Sequence, residues 1–119
     1  MRLSSVLSIA LLALLAACVV QPGAPELGRI DVHVRDQAGT PVNGVSVQLR
    51  GSGGNLIEEG TTGSVGTPGY FLILRDGGEY RVQVVAPAGY TVPASQTNPV
   101  PVRLQRDATV TVNFTLAAN

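Results

Sequence analysis

Three kinds of side chain in this sequence of 119 residues could take part in chemistry. Cys18 supplies the only thiol, which is a nucleophile when deprotonated. His33 supplies the only imidazole, which could act as a general base or a metal ligand. Carboxylates could pair as the acid and base of a hydrolase, and beyond Glu26 the sequence offers Asp31, Asp36, Glu58, Glu59, Asp76, Glu79 and Asp107.

Residues 1–17 have the composition of an export signal. Arg2 gives a short positive start, an apolar run follows, and Ala16 and Ala17 are small residues of the kind found at a cleavage site. A spanning helix needs about 20 apolar residues, whereas this run is interrupted by serines and followed by Pro22. We therefore expect a cleaved signal peptide rather than a permanent membrane span.

The segment Leu15-Ala16-Ala17-Cys18 resembles the lipobox of bacterial lipoproteins. The resemblance implies that the Cys18 thiol is diacylglycerylated, that the chain is cleaved before it, and that its new amine is often acylated. Two or more acyl chains hold a protein durably at a membrane. Val19 stands where this family uses Asp for retention at the inner membrane, which favours the outer membrane. The alternative is an ordinary signal peptide with a cysteine near its cleavage site.

The mature chain would carry seven arginines and eight acidic residues, because removal of residues 1–17 takes away only Arg2. The arginines are scattered rather than gathered in the basic patch of a nucleic-acid binder, so we expect no nucleic-acid partner. With one cysteine, no disulfide can form within the chain. Residues 18–27 comprise the lipidated cysteine and a Pro- and Gly-containing tether that reaches about 30 Å when extended.

From Arg29 onward, apolar and polar residues alternate, as in strands with one buried face. In the first such segment Ile30 and Val32 alternate with Asp31 and His33. Turn-forming residues separate the segments, and seven strands are expected at residues 29–35, 45–50, 55–59, 70–75, 80–86, 100–105 and 109–116. The pattern predicts an all-β fold over residues 28–117, a seven-stranded antiparallel Greek-key β-sandwich.

Three segments, "GRIDVHVRDQAGTPVNGVSVQL", "GTPGYFLIL" and "GGEYRVQVVAPAGY", resemble carboxypeptidase regulatory-like and collagen-adhesin B-type (SpaA-like) repeats. The resemblance implies a transthyretin-like (prealbumin-like, Ig-like) sandwich. Some members join an early Lys to a late Asn or Asp in an isopeptide bond; Asn113 lies in a late strand, but the chain has no lysine, so this bond cannot form. Thr67-Pro68 replaces the acidic residue that usually precedes the Gly-aromatic pair, here Gly69-Tyr70, which leaves the usual side-chain cap of this turn in doubt.

The histidine and the carboxylates are best explained as surface and turn residues. A zinc site needs three or four ligands, and His33 has no second histidine to join it, so we expect neither a metal nor another cofactor. Transthyretin-related hydrolases, which use several histidines, are disfavoured for the same reason. Asp36 suits a turn, and Glu58 and Glu59 suit an edge strand that must not pair with other chains.

The two longest irregular stretches, residues 60–69 and 87–99, are the predicted contact surface, because binding residues often lie in loops on a rigid scaffold. The candidate residues are Thr61, Thr62, Ser64, Thr67, Tyr90, Ser95, Gln96 and Asn98. The leading hypothesis is a non-enzymatic, lipid-anchored envelope module that binds or spaces a protein or polysaccharide partner. The alternatives are a purely structural spacer, loops that are mere connectors, and an envelope hydrolase that uses loop carboxylates.

Overall fold

The computed structural model describes residues 27–119, which form eight strands. The predicted signal peptide, Cys18 and nearly all of the tether lie outside the described residues. None of the described residues belongs to a helix with the length and apolar character that crossing a bilayer requires. The strands are β1 (Gly28–Asp36), β2 (Ser46–Gly51), β3 (Leu56–Thr61), β4 (Tyr70–Arg75), β5 (Gly78–Val85), β6 (Tyr90–Thr91), β7 (Val100–Leu104) and β8 (Thr109–Ala118).

The strands form two four-stranded sheets, and the predicted all-β sandwich is confirmed. The first sheet has the order β4-β1-β8-β6 and the second has the order β3-β2-β5-β7. All seven predicted strands are present. The eighth, β6, is a two-residue strand inside the predicted loop 87–99, where it pairs with Ala117 and Ala118. A strand this short carries no alternating pattern, which is why the sequence did not reveal it.

One pairing differs from the antiparallel expectation. β1 and β8 run parallel, from Arg29 opposite Thr109 to Asp36 opposite Leu116. Parallel neighbours need a long crossover connection, and here the whole domain between the first and last strands provides it. The alternation in the sequence predicted which side chains face the core, but alternation is the same in parallel and antiparallel strands.

The inward face of each sheet supplies the core. Apolar residues with less than one-tenth of their surface exposed come from both sheets and from the loop before β2: Ile30, Val32, Val34, Val42, Val45, Val47, Leu49, Phe71, Ile73, Val82, Val84, Val102, Leu104, Val112, Phe114 and Leu116. The residues between them on the central strands face outward, as the period-two pattern predicted. Burial of this apolar surface is the main force that holds the domain together.

The connections lie at the two ends of the sandwich. Only the β2–β3 hairpin stays within one sheet; every other connection crosses to the opposite sheet. The near end comprises Leu27, where the described chain begins, and the turns of residues 52–55, 76–77 and 105–108. The far end comprises the loops of residues 37–45, 62–69, 86–89 and 92–99. Both predicted contact loops therefore lie at the end opposite Leu27, the first at the β3–β4 edge of the sandwich and the second at the β6–β7 edge.

Candidate functional site

The candidate site is the far end, which carries the loop of residues 62–69 (the first far loop) at one lateral edge of the sandwich and the loop of residues 92–99 (the second far loop) at the opposite edge. The first far loop follows β3 and leads into β4, and the second connects β6 to β7. A loop at the end of a rigid sandwich can hold side chains in a fixed arrangement without being part of the core.

Thr62 fastens the base of the first far loop. The residue is 3% exposed. The hydroxyl donates to the carbonyl oxygen of Val42 at 2.7 Å and accepts from the amide of Val45 at 3.1 Å. The Thr62 amide in turn donates to the Val45 carbonyl at 3.0 Å. Thr62 is one of the predicted contact residues. Its enclosed hydroxyl already has two partners within the chain, so it supports the loop, and its role in binding stays a prediction.

Asn43 closes the other end of the same loop. Its Oδ1 accepts from the Gly69 amide at 2.7 Å. Gly69 has φ +65, and a Cβ there would lie 2.6 Å from the carbonyl oxygen of Val34, so only glycine fits this turn. The side-chain cap that was in doubt is therefore present, but it comes from Asn43, 26 residues away.

The tip of the first far loop is open. Thr61, at the end of β3, and Ser64 and Thr67 are exposed, and Val65 has 53% of its surface exposed. The Ser64 hydroxyl donates to the carbonyl oxygen of Thr61 at 2.7 Å. These residues offer hydroxyl groups that could hydrogen-bond a polar partner. One apolar side chain, that of Val65, lies among them. Their role in binding stays a prediction.

Two amide side chains attach the second far loop to the sandwich. Asn98 accepts from the Val84 amide at 3.0 Å and donates to the Val84 carbonyl at 2.9 Å, as a neighbouring strand would. Gln96 Oε1 accepts from the Thr115 amide of β8 at 2.8 Å. Tyr90 packs against the core, whereas Ser95 is exposed. Asn98 and Gln96 thus hold the loop in place, and their binding role also stays a prediction.

A second polar group lies outside the far loops, on the outer face of the first sheet. Asp31 Oδ1 accepts from the Tyr70 hydroxyl at 2.5 Å and from Arg29 Nε at 2.8 Å, and Arg29 also donates to the Tyr70 oxygen at 3.0 Å. Burial by itself would raise the pKa of Asp31, but the hydrogen bonds from Tyr70 and Arg29 outweigh it and hold that pKa below its ordinary value. The three side chains thus form a triangle in which each one is hydrogen-bonded to the other two.

His33 stands at the border of this triangle. Its ring centroid is 5.1 Å from that of Tyr70, with the planes tilted by 43°. His33 lies opposite Asn113 of β8, and Asn113 is exposed on the outer face rather than directed into the core. Within residues 27–119 no three His, Cys, Asp or Glu side chains are grouped so as to hold a metal ion.

Several carboxylates have structural partners. Asp36 Oδ1 accepts from the amides of Ala38 and Thr40, both at 2.9 Å, which confirms its place in a turn. Glu58 forms an ion pair with Arg75 at 3.3 Å. Glu59 accepts from Ser46 at 3.0 Å and Gln48 at 2.8 Å, and these hydrogen bonds lower its pKa. Glu58 and Glu59 belong to β3, an edge strand of the second sheet, as expected.

Neither a protein-family model nor a curated protein matches the sequence. Solved structures do match the fold. The Bacillus anthracis TIE protein aligns with 78% of this chain at 15% identity and a TM-score of 0.63, and the minor pilin of Streptococcus agalactiae aligns with 79% at 18% identity and the same score. BcpA, the major pilin subunit of Bacillus cereus, aligns with 80% at 16% identity and a TM-score of 0.57.

These proteins are much larger than the chain described here. The alignment covers 17% of the Bacillus anthracis protein, 45% of the streptococcal minor pilin and 31% of BcpA. At such low identity the likeness concerns the fold alone. The chain thus shares its β-sandwich fold with a part of each of these proteins.

Proposed function

We propose that the mature protein is a lipid-anchored module of the bacterial envelope that carries its far loops away from the membrane and there binds or spaces a protein or polysaccharide. The observation that carries the proposal is the placement of the two ends. The chain enters the sandwich at Leu27, at the near end, and both candidate loops lie at the far end.

The dimensions support this arrangement. β1 has nine residues, which at about 3.3 Å per residue separate the near end from the far end by about 30 Å. The tether that precedes Leu27 adds up to about 30 Å when extended. The far loops would then stand at most about 60 Å from the lipid anchor, so their partner must lie close to the same membrane.

The sequence and the fold support the envelope location. The lipobox residues Leu15 to Cys18 supply the anchor in this proposal, and Val19 favours the outer membrane. The solved structures that share the sandwich fold include a minor pilin and a major pilin subunit. A structural or adhesive role without catalysis is the function that fits both lines of support.

A hydrolase would have to use carboxylates at the near end of the sandwich, away from the candidate loops. Asp31, Asp36, Glu58 and Glu59 already bind groups of the same chain. The others beyond Glu26, namely Asp76, Glu79 and Asp107, lie at or next to the near-end turns. A hydrolytic site built from them would therefore face the membrane, whereas the proposed contact surface faces away from it.

The anchor is tested by Cys18→Ser in the full-length protein, expressed in its native cell. The unsubstituted protein should take up labelled fatty acid and fractionate with membranes, and the variant should do neither. Ser8→Ala, within the apolar run of the signal peptide, is the matched control and should be lipidated normally. A Cys18→Ser protein that still incorporates fatty acid would refute the anchor.

The far-end contact is tested by crosslinking in the native cell. Replacement of the exposed Thr61, Ser64, Thr67 and Ser95 by alanine should reduce the crosslinked partner several-fold. The control carries Ser52→Ala and Thr109→Ala, exposed positions at the near end, and should crosslink normally. Unchanged crosslinking in the far-end variant would reject the loops as a contact surface, and a protein without any crosslinked partner would favour the structural spacer.

A further inference from the structure

β4 has an unoccupied edge in the described structure. It lies at the border of the first sheet, with β1 on one side only. The Val34 amide donates to the Gly69 carbonyl at 2.8 Å. Because backbone groups alternate in direction along an antiparallel strand, those of Phe71 and Ile73 face β1. The backbone groups of Leu72 and Leu74 face outward, toward no strand within residues 27–119.

The Tyr70 carbonyl confirms this direction. It accepts from the Gly63 amide at 3.0 Å, and Gly63 belongs to the first far loop rather than to β1. The outward-facing backbone positions of β4 therefore begin at Tyr70, whose carbonyl is occupied, and continue with Leu72 and Leu74. Two consecutive outward positions are enough for a short antiparallel pairing with another strand.

The side chains at the same two positions are apolar. Leu74 is 51% exposed and Leu72 is half-buried, both on the outer face of the first sheet. The equivalent face of β8 carries Thr109, Thr111 and Asn113, which are compatible with water. An exposed apolar face on an edge strand is a signature of association with another strand.

The edges of the second sheet carry features that oppose strand pairing. β3 contains a register shift opposite Leu49 and Arg50 and two adjacent glutamates. β7 contains Pro101, which cannot donate a backbone hydrogen bond. In contrast, β4 has one charged residue, Arg75, which is at its end and is ion-paired with Glu58 of the same chain.

We propose that β4 pairs with β4 of a second copy of this chain in an antiparallel, two-fold arrangement. Leu72 would lie opposite the second copy's Leu74, and Leu74 opposite the second copy's Leu72. Each pair would exchange two backbone hydrogen bonds, and the four leucine side chains would pack together on one face. The occupant is a second copy because the alternation of Leu72 and Leu74 is complementary to itself and brings no like charges opposite each other.

The contact would be small. Six residues of β4 extend over about 20 Å, and a single strand pair buries less than the roughly 1,200 Å² of a standard stable interface. The dimer is therefore weak, and it forms at high protein concentration. The dimer contact would involve neither the lipid anchor nor the exposed tip of the first far loop.

The test uses the mature chain from residue 18 with Cys18→Ser, studied by sedimentation and amide hydrogen exchange over a range of concentrations. The mass should approach that of a dimer at the highest concentrations. Exchange of the Leu72 and Leu74 amides should slow as the dimer forms, whereas the amides of Phe71 and Ile73 should not change, because they already face β1.

Leu74→Lys should abolish the dimer and leave the monomer folded with a slightly lower melting temperature, because Leu74 is half exposed but lies opposite Arg29 of β1. Thr111→Lys, an equivalent exposed substitution on β8 of the same sheet, should leave the dimer intact. A chain that stays monomeric at millimolar concentration would overturn the proposal. So would a dimer that Thr111→Lys dissociates and Leu74→Lys does not, or protection of Leu72 and Leu74 that requires a different protein.

Discussion

The two far loops each connect one sheet to the other at the far end, but they differ in how the sandwich holds them. The first far loop is fastened at its two ends, by Thr62 and by Asn43, and its tip is exposed. The second far loop is fastened along its length, where Gln96 reaches β8 and Asn98 reaches β5. The first loop thus presents more side chains to a partner than the second.

The difference shows what polar residues do in segments without strand pairing. Backbone groups near the core need hydrogen-bond partners, and Thr62, Asn98 and Gln96 supply them where no strand can. The same residue types are the ones that sequence reasoning selects as contact residues. Burial and hydrogen bonds within the chain distinguish residues that support the backbone from residues that could contact a binding partner. The exposed candidates for contact are Thr61, Ser64, Thr67 and Ser95.

The largest effect is expected for Thr62→Val, which keeps the shape and removes the hydroxyl. The Val42 carbonyl and the Val45 amide would lose a partner in a buried site, which costs about 2–4 kcal/mol in the free energy of unfolding. Urea denaturation measures it, with the exposed Thr67→Val as the control. A loss below about 0.5 kcal/mol would show that Thr62 does not fasten the loop.

Asn98→Ala should have an intermediate effect. Two hydrogen bonds to Val84 disappear, but the site is only half-buried, so water can replace part of the loss. We expect a decrease of about 1–2 kcal/mol in the free energy of unfolding. Ser95→Ala, three residues earlier and exposed, should cause almost none. Equal destabilisation by the two variants would mean that the second far loop is not attached through Asn98.

Gln96→Ala should act locally and more weakly, by about 0.5–1 kcal/mol, because its bond to Thr115 lies near the surface. The Thr115 amide should exchange hydrogen faster in this variant. The Phe114 amide is the internal control, since it faces β1 rather than the second far loop. Unchanged hydrogen exchange at the Thr115 amide would show that Gln96 does not attach the second far loop to β8.

The smallest effect is expected at the exposed tip of the first far loop. Combined replacement of Thr61, Ser64 and Thr67 by alanine should change the free energy of unfolding by less than about 0.5 kcal/mol per site. Thermal and urea unfolding measure this directly. A larger loss would mean that the tip, like Thr62, is part of the structural framework, and it would then be a poor choice for testing partner binding.

Much of the fold could be predicted from local pattern. The seven segments with alternating residues correspond to β1–β5, β7 and β8, and the turn role of Asp36 follows from its own neighbours. The candidate site was less predictable. Asn43 caps Gly69 across 26 residues, and Thr62 reaches Val42 across 20, so no local signal distinguishes them from exposed loop residues.

The sequence by itself determined the strands and their buried faces, because side chains on a strand alternate between two faces. It also determined which covalent crosslinks are possible, because a chain with one cysteine and no lysine can form neither an internal disulfide nor an isopeptide bond. Only the tertiary structure decided the parallel pairing of β1 with β8, the open edge of β4 and the placement of both far loops at the end opposite Leu27. These features depend on contacts between residues far apart in the chain, which a local pattern does not encode.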